Sequence, residues 1–249
     1  MPGDRPKALS IAGYDPSGGA GLLADIKTFE ANKVLGMGVC TALTIQNESE
    51  LSHVDWVEVE SIKKQISMLY KKHRFRFVKI GIVENWEVLD ELLVFLQKNI
   101  DNVKVIWDPI LKASAGYQFI QSPQSDTLIK LLKKIYLLTP NWEEAQILSG
   151  KVAFSGAESF GEYCHVFLKG GHNPEALGKD HLFMENDVYP FKSKKLAGTS
   201  KHGSGCVLSS AITANLARGY NLQRSCLRAK DYITRFLNSN NSLLGYHKI

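Results

Sequence analysis

What this chain lacks narrows its class before any motif is read. It has only four cysteines, Cys40, Cys164, Cys206 and Cys226. They are scattered, with no CxxC pair and no His/Cys cluster at zinc spacing, which argues against both a disulfide scaffold and a structural metal. No apolar run approaches the length of a bilayer span, and residues 1–7 hold no signal-type apolar segment, so a soluble cytoplasmic protein is expected. Internal repeats, low-complexity stretches and linkers are missing too.

Aromatic residues do not interleave the basic clusters Lys71-Lys72-His73-Arg74, Lys133-Lys134 and 192–195. Single-stranded nucleic acid needs such stacking platforms, whereas cations at the ends of helices are ordinary solvated choices. The net charge of +5 therefore points to a small molecule carrying phosphate, not to nucleic acid or a membrane. A length of 249 residues allows one large α/β domain, 1–249, and no more.

Most informative is Lys201-His202-Gly203-Ser204-Gly205-Cys206, followed at once by an apolar helical pattern over about 206–218. Two glycines around a serine leave several N–H groups free at a helix start, which is an anion site. The macrodipole at that end favours the thiolate of Cys206, so the thiol is a candidate base with a lowered pKa. The plainer alternative is a tight turn with Ser204 as N-cap and Cys206 as a packing residue.

Upstream, strand-type runs at 8–12, 38–45, 77–80, 104–107, 135–138 and 164–169 alternate with helical periodicity at 20–32, 61–72, 86–98 and 126–134. That rhythm predicts a parallel sheet with ligands outside the carboxyl ends of its strands. Gly19-Ala20-Gly21-Leu22-Leu23-Ala24 matches a loose dinucleotide fingerprint, but the loop inserts Tyr14-Asp15-Pro16-Ser17 first and the next strand ends in Gln46-Asn47 instead of an acid. Asp15, Ser17 and Asp25 suit hydrogen bonding to a polar ligand better.

Gln46 puts a carboxamide at a strand end, where it either reads the edge of a heteroaromatic ring or is simply solvated. Asp108 ends its strand in the expected crevice. Asn141 and Glu144, three apart at a helix start, could hold a hydrated magnesium ion, although spacing alone favours a capping box. Residues 154–163 read as short and glycine-broken. His172 follows two glycines as a loop residue, and residues 180–189 read as a hairpin, a flap able to cover a nucleotide.

Taken together, the blocks Ala12-Gly13-Tyr14-Asp15-Pro16-Ser17-Gly18-Gly19-Ala20-Gly21, Thr41-Ala42-Leu43-Thr44-Ile45-Gln46-Asn47, Val78-Lys79-Ile80-Gly81, Asp108-Pro109, Thr139-Pro140-Asn141-Trp142-Glu143-Glu144, Lys169-Gly170-Gly171-His172 and His202-Gly203-Ser204-Gly205-Cys206 closely resemble the ribokinase-like kinases. Within them the resemblance is to the hydroxymethylpyrimidine and phosphomethylpyrimidine kinases of thiamine biosynthesis. It implies a three-layer α/β/α sandwich with a mostly parallel central sheet, and ATP- and magnesium-dependent phosphorylation of a hydroxymethyl group and then of its phosphate. It further implies a homodimer.

Carried onto matching positions, Gly13, Asp25 and Gln46 hold the aminopyrimidine, while Asp108 and Glu144 organise the metal. Asn141, with Lys169 and His202, serves the ATP phosphates. Gly203, Ser204 and Gly205 form the anion hole, and Cys206 is the base. Lys201 and Ser204 both stand where the family usually has threonine. A pyridoxal kinase of the same branch is the nearest alternative, and a non-catalytic pyrimidine-binding protein a more distant one.

Overall fold

A computed structural model describes residues 5–113, 116–173, 176–192 and 200–247, apart from the side chain of His172. Ser114, Ala115 and most of the 192–195 basic cluster lie outside the described residues. In chain order the elements are β1 (Lys7–Tyr14), α1 (Gly21–Ala31), β2 (Leu35–Gln46), β3 (Leu51–Trp56), α2 (Val59–Lys72), β4 (Phe77–Ile80), α3 (Trp86–Asn99), β5 (Lys104–Trp107) and α4 (Ser125–Leu132). They continue with β6 (Leu137–Leu138), α5 (Trp142–Ser149), α6 (Ala153–Phe160), β7 (His165–Leu168), β8 (Lys179–Met184), β9 (Asp187–Lys192), α7 (Ser204–Ala217) and α8 (Leu222–Leu237).

The strands form one sheet in the order β3-β2-β1-β4-β5-β6-β7-β8-β9. From β2 to β7 neighbours are parallel, and β3, β8 and β9 are antiparallel additions at the two edges. Successive side chains of a strand face opposite layers. Val105 and Trp107 accordingly enter a core with α2 to α6, while Ile106 enters the other with α7 and α8. Strands covered on both faces are largely apolar, which is why β4, apart from the buried Lys79, and β5 beyond its first residue show no alternation. The three-layer α/β/α sandwich with a mostly parallel sheet is as expected.

Three local readings change. Leu51 to Trp56 is a strand that sequence reasoning missed, because an edge strand with one exposed face mixes Ser52, His53 and Asp55 among its apolar residues. Residues 153–160 form a regular helix, in which Gly156 permits close approach: a Cβ there would lie 2.2 Å from Ser149 Oγ. The hairpin, turning through Glu185 and Asn186 at φ 55° and 69°, extends the central sheet beside β7 and is no flap.

Helix α7 is buried almost all round, lying between α1, α8 and the sheet. After α8 the chain turns back, and His247 Nδ1 lies 2.9 Å from the Tyr232 hydroxyl on that helix. Burial, assisted by the charge of Lys27, pushes the imidazole down to about 4. A folded-state value below the ordinary one means the neutral ring stabilises the docked tail above about pH 6.5, and that this stabilisation is lost as pH falls towards 4. Comparing urea melts of wild type and His247→Leu at pH 7.5 and pH 4.5 tests this: the wild-type advantage should shrink at the lower pH.

Candidate active site

The carboxyl ends of β1, β2, β4, β5 and β7 and the start of α7 surround one cavity of about 240 Å³. It is lined by Gly13, Gln46, Asp108, Asn141, Glu144, Lys169 and the 202–206 turn, all singled out from the sequence, but not by Asp15, Ser17 or Asp25. Its phosphate end is built by two glycine loops in contact. Gly203 has φ 71°, and a Cβ there would meet Gly19 O at 2.1 Å; Gly21 has φ 57°, and a Cβ there would meet Gly13 O at 2.3 Å. Only glycine satisfies both the left-handed backbone and the missing volume. Among the described residues no side chain caps α7, and its first turn carries no acidic residue; Ser204 N–H donates to Lys201 O at 3.2 Å, which leaves the Gly205 and Cys206 amides for an anion.

Opposite that helix start runs a buried chain of alternating charge. Lys79 Nζ is 2.8 and 2.9 Å from the Asp25 carboxylate and 3.9 Å from Asp108 Oδ2. Lys169 Nζ donates to Asp108 Oδ1 at 2.6 Å and lies 3.8 Å from Glu144 Oε2. Burial opposes the charge of each lysine, but the carboxylates outweigh it and hold both above the ordinary lysine range. Asp108, though buried, is kept below the usual carboxylate range by Lys169 and Lys79. Glu144 is pushed up to about 7 by burial, against the pull of Lys169 and with the charge of Asp108 adding to the rise.

Lys79 went unassigned in the sequence reading. The available signal was a single charge inside a four-residue strand whose other members are apolar. Asp25, expected at the ligand, instead lies beneath the floor. It accepts from Ser10 Oγ and Ser210 Oγ, both at 2.6 Å, as well as from Lys79, and is fully buried. A helix position one turn in faces the sheet here, so its carboxylate supports Lys79 and does not touch the cavity. Asp15 and Ser17 are likewise turned on their own loop: Asp15 accepts from Ser17, from the Ala20 amide and from His202 Nε2 at 2.9 Å.

Asn141 and Glu144 do form the capping box, with Asn141 N–H donating to Glu144 Oε2 and Glu144 N–H to Asn141 Oδ1. Both also line the cavity, so capping and ligand contact are compatible. Cys206 sits in the first turn of α7, but burial pushes its thiol up to about 12 in spite of Lys79, with Asp108 and Asp25 adding to the rise. The expected lowering is therefore corrected: desolvation outweighs the favourable end of the helix.

Two buried polar atoms in the cavity wall, Asp108 Oδ2 and His202 Nδ1, have no hydrogen-bond partner. Unpaired buried acceptors and donors are costly unless something else occupies them. Among the described residues no group of three or more His, Cys, Asp or Glu side chains could hold a metal ion alone. Asp108 and Glu144 present carboxylate oxygens at this wall, hard donors of the kind that a hydrated magnesium ion takes alongside phosphate oxygens.

Residues 15–248 match the family model described as phosphomethylpyrimidine kinase. The chain belongs to this family. A hydroxymethylpyrimidine/phosphomethylpyrimidine kinase of Aquifex aeolicus is 34% identical over 251 residues, covering 95% of this chain and 96% of the relative. The crystal structure of phosphomethylpyrimidine kinase from Clostridium difficile 630 is 34% identical and superposes with a TM-score of 0.77 over 92% of this chain and 98% of that one. An ADP complex of Bacillus subtilis pyridoxal kinase has a TM-score of 0.79 at 26% identity, over 94% and 92% of the two chains. The chain is thus a kinase of ribokinase-like fold.

Within this kinase family fold, the buried charge chain sets a stability test. Lys79→Met leaves Asp25 desolvated with only two hydroxyl donors, and should cost about 3–5 kcal/mol, as when one member of a buried ion pair is removed. Lys79→Met combined with Asp25→Asn should recover most of that loss. Equilibrium urea unfolding of the two single variants and the double variant measures the coupling.

Proposed function

We propose that the protein transfers the terminal phosphoryl group of ATP to 4-amino-5-hydroxymethyl-2-methylpyrimidine and then to its monophosphate. The observation that carries this reading is that one cavity joins Gln46, at the end of β2, to the Gly203–Cys206 turn at the start of α7. The Gln46 carboxamide offers an acceptor and two donors, which match a ring nitrogen beside an exocyclic amine. Gly13, at the irregular end of β1, gives a flat wall for the ring: a Cβ there would come within 2.4 Å of Ile82. The cytoplasm, where thiols stay reduced, suits the four free cysteines.

In the transfer, the substrate hydroxyl oxygen bonds to the terminal phosphorus as the bridging P–O bond breaks and ADP leaves. The hydroxyl proton passes to the thiolate form of Cys206. Little covalent chemistry is asked of the protein; positioning and charge stabilisation dominate. The amides of Gly203, Gly205 and Cys206 face the oxygens of the transferring group, while that of Ser204 ties the turn to Lys201 O. Lys169 supplies a cation beside them: even a Cβ on Gly205 would be only 3.3 Å from its ammonium. Asn141 and His202 serve the nucleotide phosphates. Asp108 and Glu144 would hold magnesium, which neutralises phosphate charge when bound. Lys79, behind Asp108, keeps that carboxylate ionised and favours the thiolate of Cys206.

A pyridoxal kinase is the second reading, favoured by the structural likeness to such an enzyme. Pyridoxal lacks the exocyclic amine that Gln46 would recognise. A mass-resolved assay with magnesium-ATP and both substrates should give pyrimidine mono- and diphosphate at the higher rate; faster turnover of pyridoxal would overturn the first reading. Cys206→Ala should slow phosphorylation at least about a hundredfold while keeping ligand binding by calorimetry, the loss expected when a positioned proton acceptor goes. A binding protein without catalysis would lose only packing.

The same reading includes a homodimer. Leu43 and Ile45 on β2 are 54% and 61% exposed, with the exposed Tyr14 at the end of β1 paired beside Leu43. Adjacent large apolar side chains on an edge hairpin suit a second copy of the chain. Ile45→Asp should convert the dimer to monomer in light scattering coupled to gel filtration.

A further inference from the structure

Lys201 is nearly buried, 4% exposed, and precedes the anion turn by two residues. Its ammonium is held by neutral oxygens: Asn240 O at 2.6 Å, Asn240 Oδ1 at 2.7 Å and the carbonyl of Ser242. A buried cation without a counter-charge is costly unless its hydration is replaced. Three acceptors meet its three N–H donors. This is the chemistry by which rings of carbonyl oxygens replace the water shell of potassium.

The cage is not isolated from the site. His202 N–H donates to Leu243 O at 2.9 Å, and Ser204 N–H to Lys201 O at 3.2 Å. Asn240 braces the tail through Leu244 O and the Ser242 amide, both at 2.9 Å. Leu244 in turn sits over Gly19, where a Cβ would meet its Cδ2 at 2.7 Å. Residues 240–245 therefore form the outer wall of both glycine loops, and the Lys201 ammonium is the cation at their junction.

We propose that Lys201 is a positioning residue that acts as a built-in monovalent cation: its ammonium fills a cage of tail oxygens, locks residues 240–245 against the anion turn, and makes a free monovalent ion unnecessary. The catalytic consequence rests on the kinase reading above, but the locking does not. Replacing the ammonium by the hydroxyl of threonine, the residue usual at this position in the family the sequence resembles, should empty the cage of charge. A potassium or ammonium ion, similar in size to the lost group, should then be able to enter it.

The test compares wild type, Lys201→Thr and Asn240→Leu in 100 mM sodium, potassium or ammonium chloride, following both turnover and amide hydrogen exchange. Wild-type kcat should be the same within twofold in all three salts. In sodium, Lys201→Thr should lose at least tenfold in kcat with KM for the pyrimidine changed less than threefold, and the 202–205 and 240–245 amides should exchange faster. Potassium or ammonium should restore both rate and protection. Asn240→Leu leaves Lys201 in place but removes one cage oxygen, and should show a smaller loss of protection, so the idea stays testable if Lys201→Thr does not fold.

Wild-type activity that depends on potassium would overturn the proposal, as would unchanged exchange in both variants or a Lys201→Thr loss that neither ion restores. If the wild type phosphorylates neither substrate, the functional reading fails by itself, and salt-dependent exchange in Lys201→Thr still decides the role of the lysine.

Discussion

Lys79 is wholly buried between Asp25 and Asp108, and the geometry of the cavity depends on that one cation. It ties α1, through Asp25, to β4 and to the end of β5, and it compensates two carboxylates that would otherwise be neutralised by burial. Lys169 repeats the arrangement one step further, between Asp108 and Glu144, so that positive and negative groups alternate across the carboxyl ends of the strands. Such a chain is stable only when complete: removing any one member strands its neighbours in a medium that cannot solvate them. Asp108 can thus remain ionised with one oxygen still unpaired, ready for a cationic partner.

The second constraint is steric. The phosphate end of the site exists because the backbone of the Gly203 turn rests directly on that of the Gly18-Gly19-Ala20 loop. This contact joins segments nearly two hundred residues apart, and the Asp15–His202 hydrogen bond reinforces it. The Gly205 and Cys206 amides at the start of α7 then lie at the cavity wall, and no side chain among the described residues caps the helix. The charge chain and the amide-lined turn face each other across the space where a phosphoryl group would pass, which is the arrangement that charge stabilisation in phosphoryl transfer needs.

Much of this was legible along the chain. The alternation of strands and helices, the position of Asp108 at a strand end, and the Gly-Ser-Gly-Cys turn before an apolar helix all follow from local pattern and backbone chemistry. The edge strand at residues 51–56 was not legible, because one exposed face gives it a mixed composition. The depth of Asp25 and the proton affinity of the Cys206 thiol were not legible, for one common reason. Their behaviour depends on burial among distant groups, and position on a helix reveals neither the depth nor the neighbours. Asp15 differs, as its own loop together with His202 takes up its hydrogen-bonding capacity.

The sequence by itself determined the element order, the anion turn and the capping box of α5, since each rests on contacts within a few residues. Tertiary structure decided which carboxylate reaches the cavity, how firmly each proton is held, and that Lys201 ends among the oxygens of a tail some forty residues later. Those outcomes are set by desolvation and by charges brought together from remote segments, and neither quantity is written in a local pattern.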